Sequence, residues 1–134
     1  MPSDLDEFGK RYAGAWCSQN PESVASFFAE GGSLSVNDAA PAVGRVAITE
    51  VAREFMTAFP DMVVTVDELI GGAQSVEFHW TLEGTNTGPG GRGKRVRIGG
   101  YEEWRINADG LVAESRGHFD AVEYQRQLEH GVDG

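Results

Sequence analysis

The stretch Arg95–Ile106, RVRIGGYEEWRI, alternates with a period of two. Val96, Ile98, Gly100, Glu102, Trp104 and Ile106 form one row, and Arg95, Arg97, Tyr101, Glu103 and Arg105 the other. Side chains along a strand point alternately to opposite faces, so the first row is predicted to face a core and the second water. The segments around it read the same way. Residues 74–86 set Val76, Phe78, Trp80 and Leu82 against Glu77, His79, Thr81 and Glu83. Residues 111–119 set Leu111, Ala113, Ser115, Gly117 and Phe119 against Val112, Glu114, Arg116 and His118. A further strand is expected near 62–70, with turns at Gly71-Gly72, at 87–94 and at Asn107 to Gly110.

Upstream of Met62 the period is helical. Leu5, Phe8, Tyr12 and Trp16 share one helix face, with Ser3 as the expected N-cap. Asn20-Pro21-Glu22 opens a second helix, predicted to run to Gly31-Gly32 and to be followed by a short strand, Ser33 to Val36. Residues 37–44 read as loop. A third helix carries Ile48, Val51, Ala52, Phe55 and Phe59 and stops at Pro60-Asp61. Asp120 to Glu123 forms a capping box for a short last helix. Helices first and antiparallel strands after predict an α+β fold, three helices on one face of a curved antiparallel sheet with a short C-terminal helix.

With 134 residues the chain is sized for a single domain, 1–134. Its 21 acidic and 11 basic residues, net charge -10, argue against nucleic acid and anionic membrane as partners. The 40% hydrophobic and 10% aromatic content is enough for a core. A single cysteine, Cys17, excludes an internal disulfide and a cysteine zinc site. No apolar run reaches bilayer length and the first ten residues show no secretory signal pattern, so a cytoplasmic location is the expectation.

One residue breaks the apolar row. Glu102 stands between Ile98 and Trp104, where a charged, unpaired carboxylate is costly. It must find a partner or a raised pKa. Either the strand twists there and Glu102 reaches an arginine or water, or it is an acid inside a pocket. The small residues Gly100, Ala113, Ser115 and Gly117 on inward rows leave space for such a pocket. Its candidate wall is Trp16, Phe55, Phe78, Trp80, Ile98, Trp104, Ser115 and Phe119, the alternative being that the aromatics fill the space as core.

Other chemistry is weak. His79, His118 and His130 show no ligand spacing, so no metal site is expected. Gly88 to Lys94 has the outline of a phosphate loop, but Arg95 and a strand follow where Ser or Thr and a helix are required. Cys17 has no identifiable base neighbour. No cofactor is expected.

Arg11-Tyr12, Asn20-Pro21-Glu22, Phe27-Phe28-Ala29, Gly44 to Ile48, Ala58 to Asp61, Glu83 to Gly88 and Trp104 to Gly110 together resemble the nuclear transport factor 2-like superfamily. Within it the chain is similar to the ketosteroid isomerase and SnoaL-like polyketide cyclase branches. The resemblance covers nearly the whole chain. It implies a cone-shaped α+β barrel with a deep apolar pocket, and frequent homodimerisation through the outer sheet face. It implies that Tyr12 donates to a substrate oxygen. It places Glu102 where ketosteroid isomerases hold a protonated aspartate and SnoaL-like cyclases a histidine. The isomerase base would align at Val36 and the cyclase aspartate at Gly117, neither of which can accept a proton. Asp38, two residues past Val36, is the candidate stand-in, and Asn86 replaces a histidine common in SnoaL-like proteins.

Two functions follow. One is a small cofactor-free enzyme, of isomerase, cyclase or dehydratase type, acting on an apolar carbonyl- or ring-containing metabolite through Tyr12, Glu102 and Asp38. The other is a non-catalytic apolar-ligand-binding or dimeric interaction module of the same fold.

Overall fold

The computed structural model describes residues 2–72 and 75–133, with side chains from Leu5 onward, so the N-cap expected at Ser3 lies outside the described side chains. In chain order the elements are α1 (Pro2–Cys17), α2 (Pro21–Ala25), β1 (Phe28–Val36), β2 (Ala42–Val43), α3 (Arg45–Ala58), β3 (Val63–Gly71), β4 (Ser75–Thr85), β5 (Arg95–Ile106), β6 (Val112–Phe119) and α4 (Ala121–His130). The strands form one sheet in the order β2-β1-β6-β5-β4-β3. Four helices on a curled, mostly antiparallel sheet give the expected α+β architecture. Among the described residues no helix is long and apolar enough to cross a membrane.

The β4 and β5 rows face as the alternation predicts. Val76, Phe78, Leu82, Val96, Ile98 and Trp104 are buried. They meet Tyr12, Ala13 and Trp16 of α1 and Ile48, Ala52 and Met56 of α3 in one continuous cluster. Asn107 makes the β5–β6 turn as an Asx turn, its Oδ1 accepting from the backbone N–H of Asp109 at 2.9 Å and of Leu111 at 3.0 Å.

Three expectations are corrected. First, α2 ends at Ala25, and Phe28 already belongs to β1. Phe28 is fully buried and registers with Val112 of β6, so sheet pairing overrides the local helical pattern. Gly31-Gly32 sits inside β1, where the register with β6 shifts. Second, β1 runs parallel to β6, and residues 37–44 are not all loop: β2 folds back so that the Gly44 N–H donates to the Gly32 carbonyl at 2.8 Å. Third, a bulge in β6 sets Ile106 opposite Val112 and Arg105 opposite Glu114. Val112 therefore turns inward and is fully buried, the reverse of its expected face.

The capping box at α4 is half formed. Asp120 accepts from the Glu123 N–H at 3.0 Å, while the Glu123 carboxylate takes hydrogen bonds from Arg126 and Gln127. Gln127, itself buried, accepts from the Arg97 N–H at 2.7 Å and ties α4 to β5.

A Cβ at Gly32 would approach the Val112 carbonyl oxygen to 2.9 Å and that of Ala29 to 3.0 Å. Gly32→Ala is expected to destabilise the fold by about 1–3 kcal/mol, since backbone must move to admit the methyl. Urea unfolding checks this, and an unchanged midpoint would contradict the close approach.

Candidate active site

Glu102 lies on the inner row of β5, in register with Gly117 of β6 and Phe78 of β4. It is only 7% exposed. Three donors converge on one of its oxygens. The Tyr12 hydroxyl reaches Oε1 at 2.9 Å, the Trp104 indole N–H at 2.9 Å and the Ser115 hydroxyl at 2.7 Å. Each donor has a structural cause. Trp104 is the next inward residue along the strand, Ser115 is the β6 partner of Trp104, and Tyr12 is delivered by α1 packing across the sheet. The Tyr12 ring is clamped edge-on by Phe78 and Trp104, with centroids 5.2 and 5.1 Å away.

Burial raises the Glu102 pKa above the ordinary carboxylate value, against the lowering effect of the hydrogen bonds from Trp104, Ser115 and Tyr12. Tyr12 is pushed well above the usual phenol value by its own burial and by the adjacent carboxyl, so it stays a neutral donor. Oε1 already accepts three hydrogen bonds, so a proton bound to Glu102 belongs on Oε2. Oε2 takes no hydrogen bond from the described residues, and Glu102 lines a cavity of about 70 Å³. Gly117 leaves space beside the carboxyl, since a Cβ there would lie 3.8 Å from the Glu102 Cγ.

Trp16, Phe55, Phe78, Trp80, Ile98 and Phe119 line this cavity. Trp104 and Ser115 do not; they hold Glu102 from behind. Tyr12 is likewise placed differently from its implied role. It is fully buried, absent from the cavity wall, and its hydroxyl donates to Glu102 Oε1. Asp38 is not brought to the site at all. The chain leaves β1 through Asn37, at φ 53°, whose Oδ1 accepts from the Phe119 N–H at 2.9 Å. That turn carries Asp38 into solvent. Val36 and Gly117 do line the cavity, and neither offers a side chain that can accept a proton.

Tyr124 was not singled out by the sequence reading. It lines both this cavity and an outer groove that shares Leu34, Val36, Val51 and Phe55 with it. Its position depends on how α4 docks against β5, which no local pattern reveals. Leu34, Val51, Val64 and Leu82 complete the apolar wall. Glu102 is the one carboxyl among the lining residues.

On the opposite sheet face His79 stacks on Tyr101, with centroids 5.3 Å apart, and His118 packs tilted against it at 4.8 Å. Among the described residues no three His, Cys, Asp or Glu side chains gather to hold a metal. The half-buried Cys17 exchanges hydrogen bonds with the Val64 backbone.

The SnoaL-like polyketide cyclase family matches residues 7–128. The chain belongs to that family. No curated protein matches it. Among solved structures, a protein of ketosteroid isomerase-like fold from Catenulispora acidiphila DSM 44928, in complex with trimethylamine, is similar over 96% of each chain, with 16% identity and a TM-score of 0.81. SalBIII, an epoxide hydrolase/cyclase-like enzyme of pyran ring formation in the polyether salinomycin, shares 18% identity and a TM-score of 0.77 over 91% of this chain and 95% of its own. AclR from Streptomyces galilaeus shares 19% identity and a TM-score of 0.80 over 95% and 96%. At these identities the likeness is one of fold.

The raised pKa fixes the sign of a pH effect. The folded state holds its Glu102 proton at pH values where the unfolded chain has released it, so this group costs stability as pH rises past about 4.5 and through the folded-state pKa. Glu102→Gln keeps an acceptor for the three donors and removes that titration. Its stability relative to wild type is expected to improve as pH rises through this window, read by urea unfolding from pH 4 to 8. A wild type that gains on the variant over the same range would mean an ordinary or lowered carboxyl pKa.

Proposed function

We propose that this chain is a small acid/base enzyme of isomerase, cyclase or dehydratase type, acting on an apolar carbonyl- or ring-containing metabolite bound in the cavity. The observation that carries the reading is the loading of Oε1 by Tyr12, Trp104 and Ser115 while Oε2 is left to the cavity side. The Oε2–H donates its proton to a carbonyl or ring oxygen as negative charge develops there. The carboxylate left behind is stabilised by the three donors on Oε1. It then recovers a proton from a substrate carbon or hydroxyl, so one residue serves as acid and base in turn. This suits a wall in which Val36 and Gly117 supply no second base. Family membership and the ring-forming chemistry named for SalBIII favour cyclisation within this class.

A second reading, a non-catalytic apolar-ligand-binding or interaction module, is favoured by the placement of Asp38 outside the cavity. Organic extraction of the purified protein and mass spectrometry identify what it retains, and turnover of that compound separates the readings. Glu102→Gln is expected to lower kcat by about 100-fold or more. Binding with no turnover, or turnover unaffected in Glu102→Gln, supports the module instead. For an enzyme using protonated Glu102, kcat falls as pH rises through the raised carboxyl pKa. Tyr12→Phe removes a donor that favours the charged form, so that falling limb should move to higher pH.

The outer sheet face is proposed to pair with a second copy. Its β3–β4 half carries Asp67, Glu68, Glu77 and Glu83, and its β5–β6 half carries Arg95, Arg97, Arg105 and Arg116 beside Glu103 and Glu114. A two-fold axis parallel to the strands sets unlike halves against each other. Sedimentation equilibrium should give a dimer that Tyr101→Asp converts to monomer; a monomeric wild type contradicts the pairing.

A further inference from the structure

Among the described residues, one buried side-chain nitrogen or oxygen has no hydrogen-bond partner: Nε1 of Trp80. An indole nitrogen can only donate, and an N–H shielded from water and left unpaired is unfavourable enough that folded proteins seldom retain one without a use. Trp80 faces inward on β4, in register with Gly100 of β5, and lines the same cavity as Glu102. Its ring lies close to Phe119 and Gly100. Phe119 packs edge-on at 6.1 Å, and a Cβ at Gly100 would come within 2.7 Å of Cζ2. Cζ2 is two bonds from Nε1, so Gly100 keeps clear the half of the indole that carries the N–H.

We infer that the Trp80 indole N–H is a second recognition point in the cavity, donating to one ligand oxygen while Oε2 of Glu102 engages another. The inference rests on the cavity being a ligand site, and it names the ligand class. With Glu102 protonated, both groups are donors, set in a wall that is otherwise apolar apart from Ser35 and Tyr124. The matching occupant is an apolar ring compound bearing two acceptor oxygens, such as a ketone with a ring ether or a diketone. A hydrocarbon would leave both donors unmet.

Three probes on one bicyclic frame test this: 4-chromanone with a ketone and a ring ether, 1-tetralone with the ketone alone, and tetralin with neither. In ¹H–¹⁵N spectra of labelled protein, with the Trp80 indole signal assigned from Trp80→Phe, 4-chromanone should move that N–H downfield and tetralin should not. In titrations 4-chromanone should bind about 3- to 10-fold tighter than 1-tetralone. Trp80→Phe should close that gap, and Glu102→Gln should leave it open. If Trp80→Phe does not fold, 3-benzothienylalanine at position 80 removes the N–H and keeps the ring shape. Equal affinities with an unmoved N–H overturn the inference and leave the cavity reading standing. An N–H already at a hydrogen-bonded shift in the free protein, and unmoved by 4-chromanone, assigns it to buried water and also overturns it. Failure of all three probes to bind overturns both.

Discussion

A carboxyl group held in an apolar interior by three donors on one of its oxygens is the constraint around which the rest of the molecule is arranged. Desolvation alone would make Glu102 expensive. Tyr12, Trp104 and Ser115 offset that cost without lining the cavity, so the wall stays apolar. Asymmetry between the two oxygens is the chemical consequence. One is saturated by the protein, and the other takes no hydrogen bond from the described residues. Burial and hydrogen bonding pull the pKa in opposite directions, with burial the larger, which is the condition for a carboxylic acid that remains an acid above the ordinary carboxylate range.

Backbone economy provides the space. Gly117 faces Glu102 across the β5–β6 pair, and Gly100 lies under the Trp80 indole. Side chains at either position would take room from the carboxyl or from the ring. The helices close the other side: Trp16 of α1 and Val51 and Phe55 of α3 face the sheet across the cavity, and Tyr124 of α4 stands where it meets the outer groove. Much of what resembles a conventional core is therefore cavity wall. The two are built from the same aromatic and branched side chains, and only the space left between them distinguishes one from the other.

The anomaly at Glu102 is legible in the sequence, and the contacts that hold it are not. Glu102 stood out because a charged residue in an apolar row is improbable without a partner, and that anomaly survives in one dimension. The partnership with Tyr12 spans 90 residues. Spacing cannot show whether a phenol on a helix points at a ligand or at another side chain. Asp38 failed for a related reason. A strand assumed to continue past Val36 instead turns at Asn37, and the Asn37 side chain is captured by β6, a segment far along the chain. The short α2 and early β1 have the same origin, since Phe28 pairs with Val112 at the cost of its local helical pattern.

By itself the sequence determined the alternation of β4 and β5, the helical faces of α1 and α3, and the presence of an acid among apolar residues, because these depend on the period of the backbone and the cost of burying charge. Tertiary structure alone decided the parallel β1–β6 pairing, the bulge that buries Val112, the hydrogen bond from Tyr12 to Glu102 and the arrival of Tyr124 at the cavity. Each of those depends on contacts between segments distant in the chain. Their energies come from closing a particular three-dimensional arrangement, which no window of neighbouring residues contains.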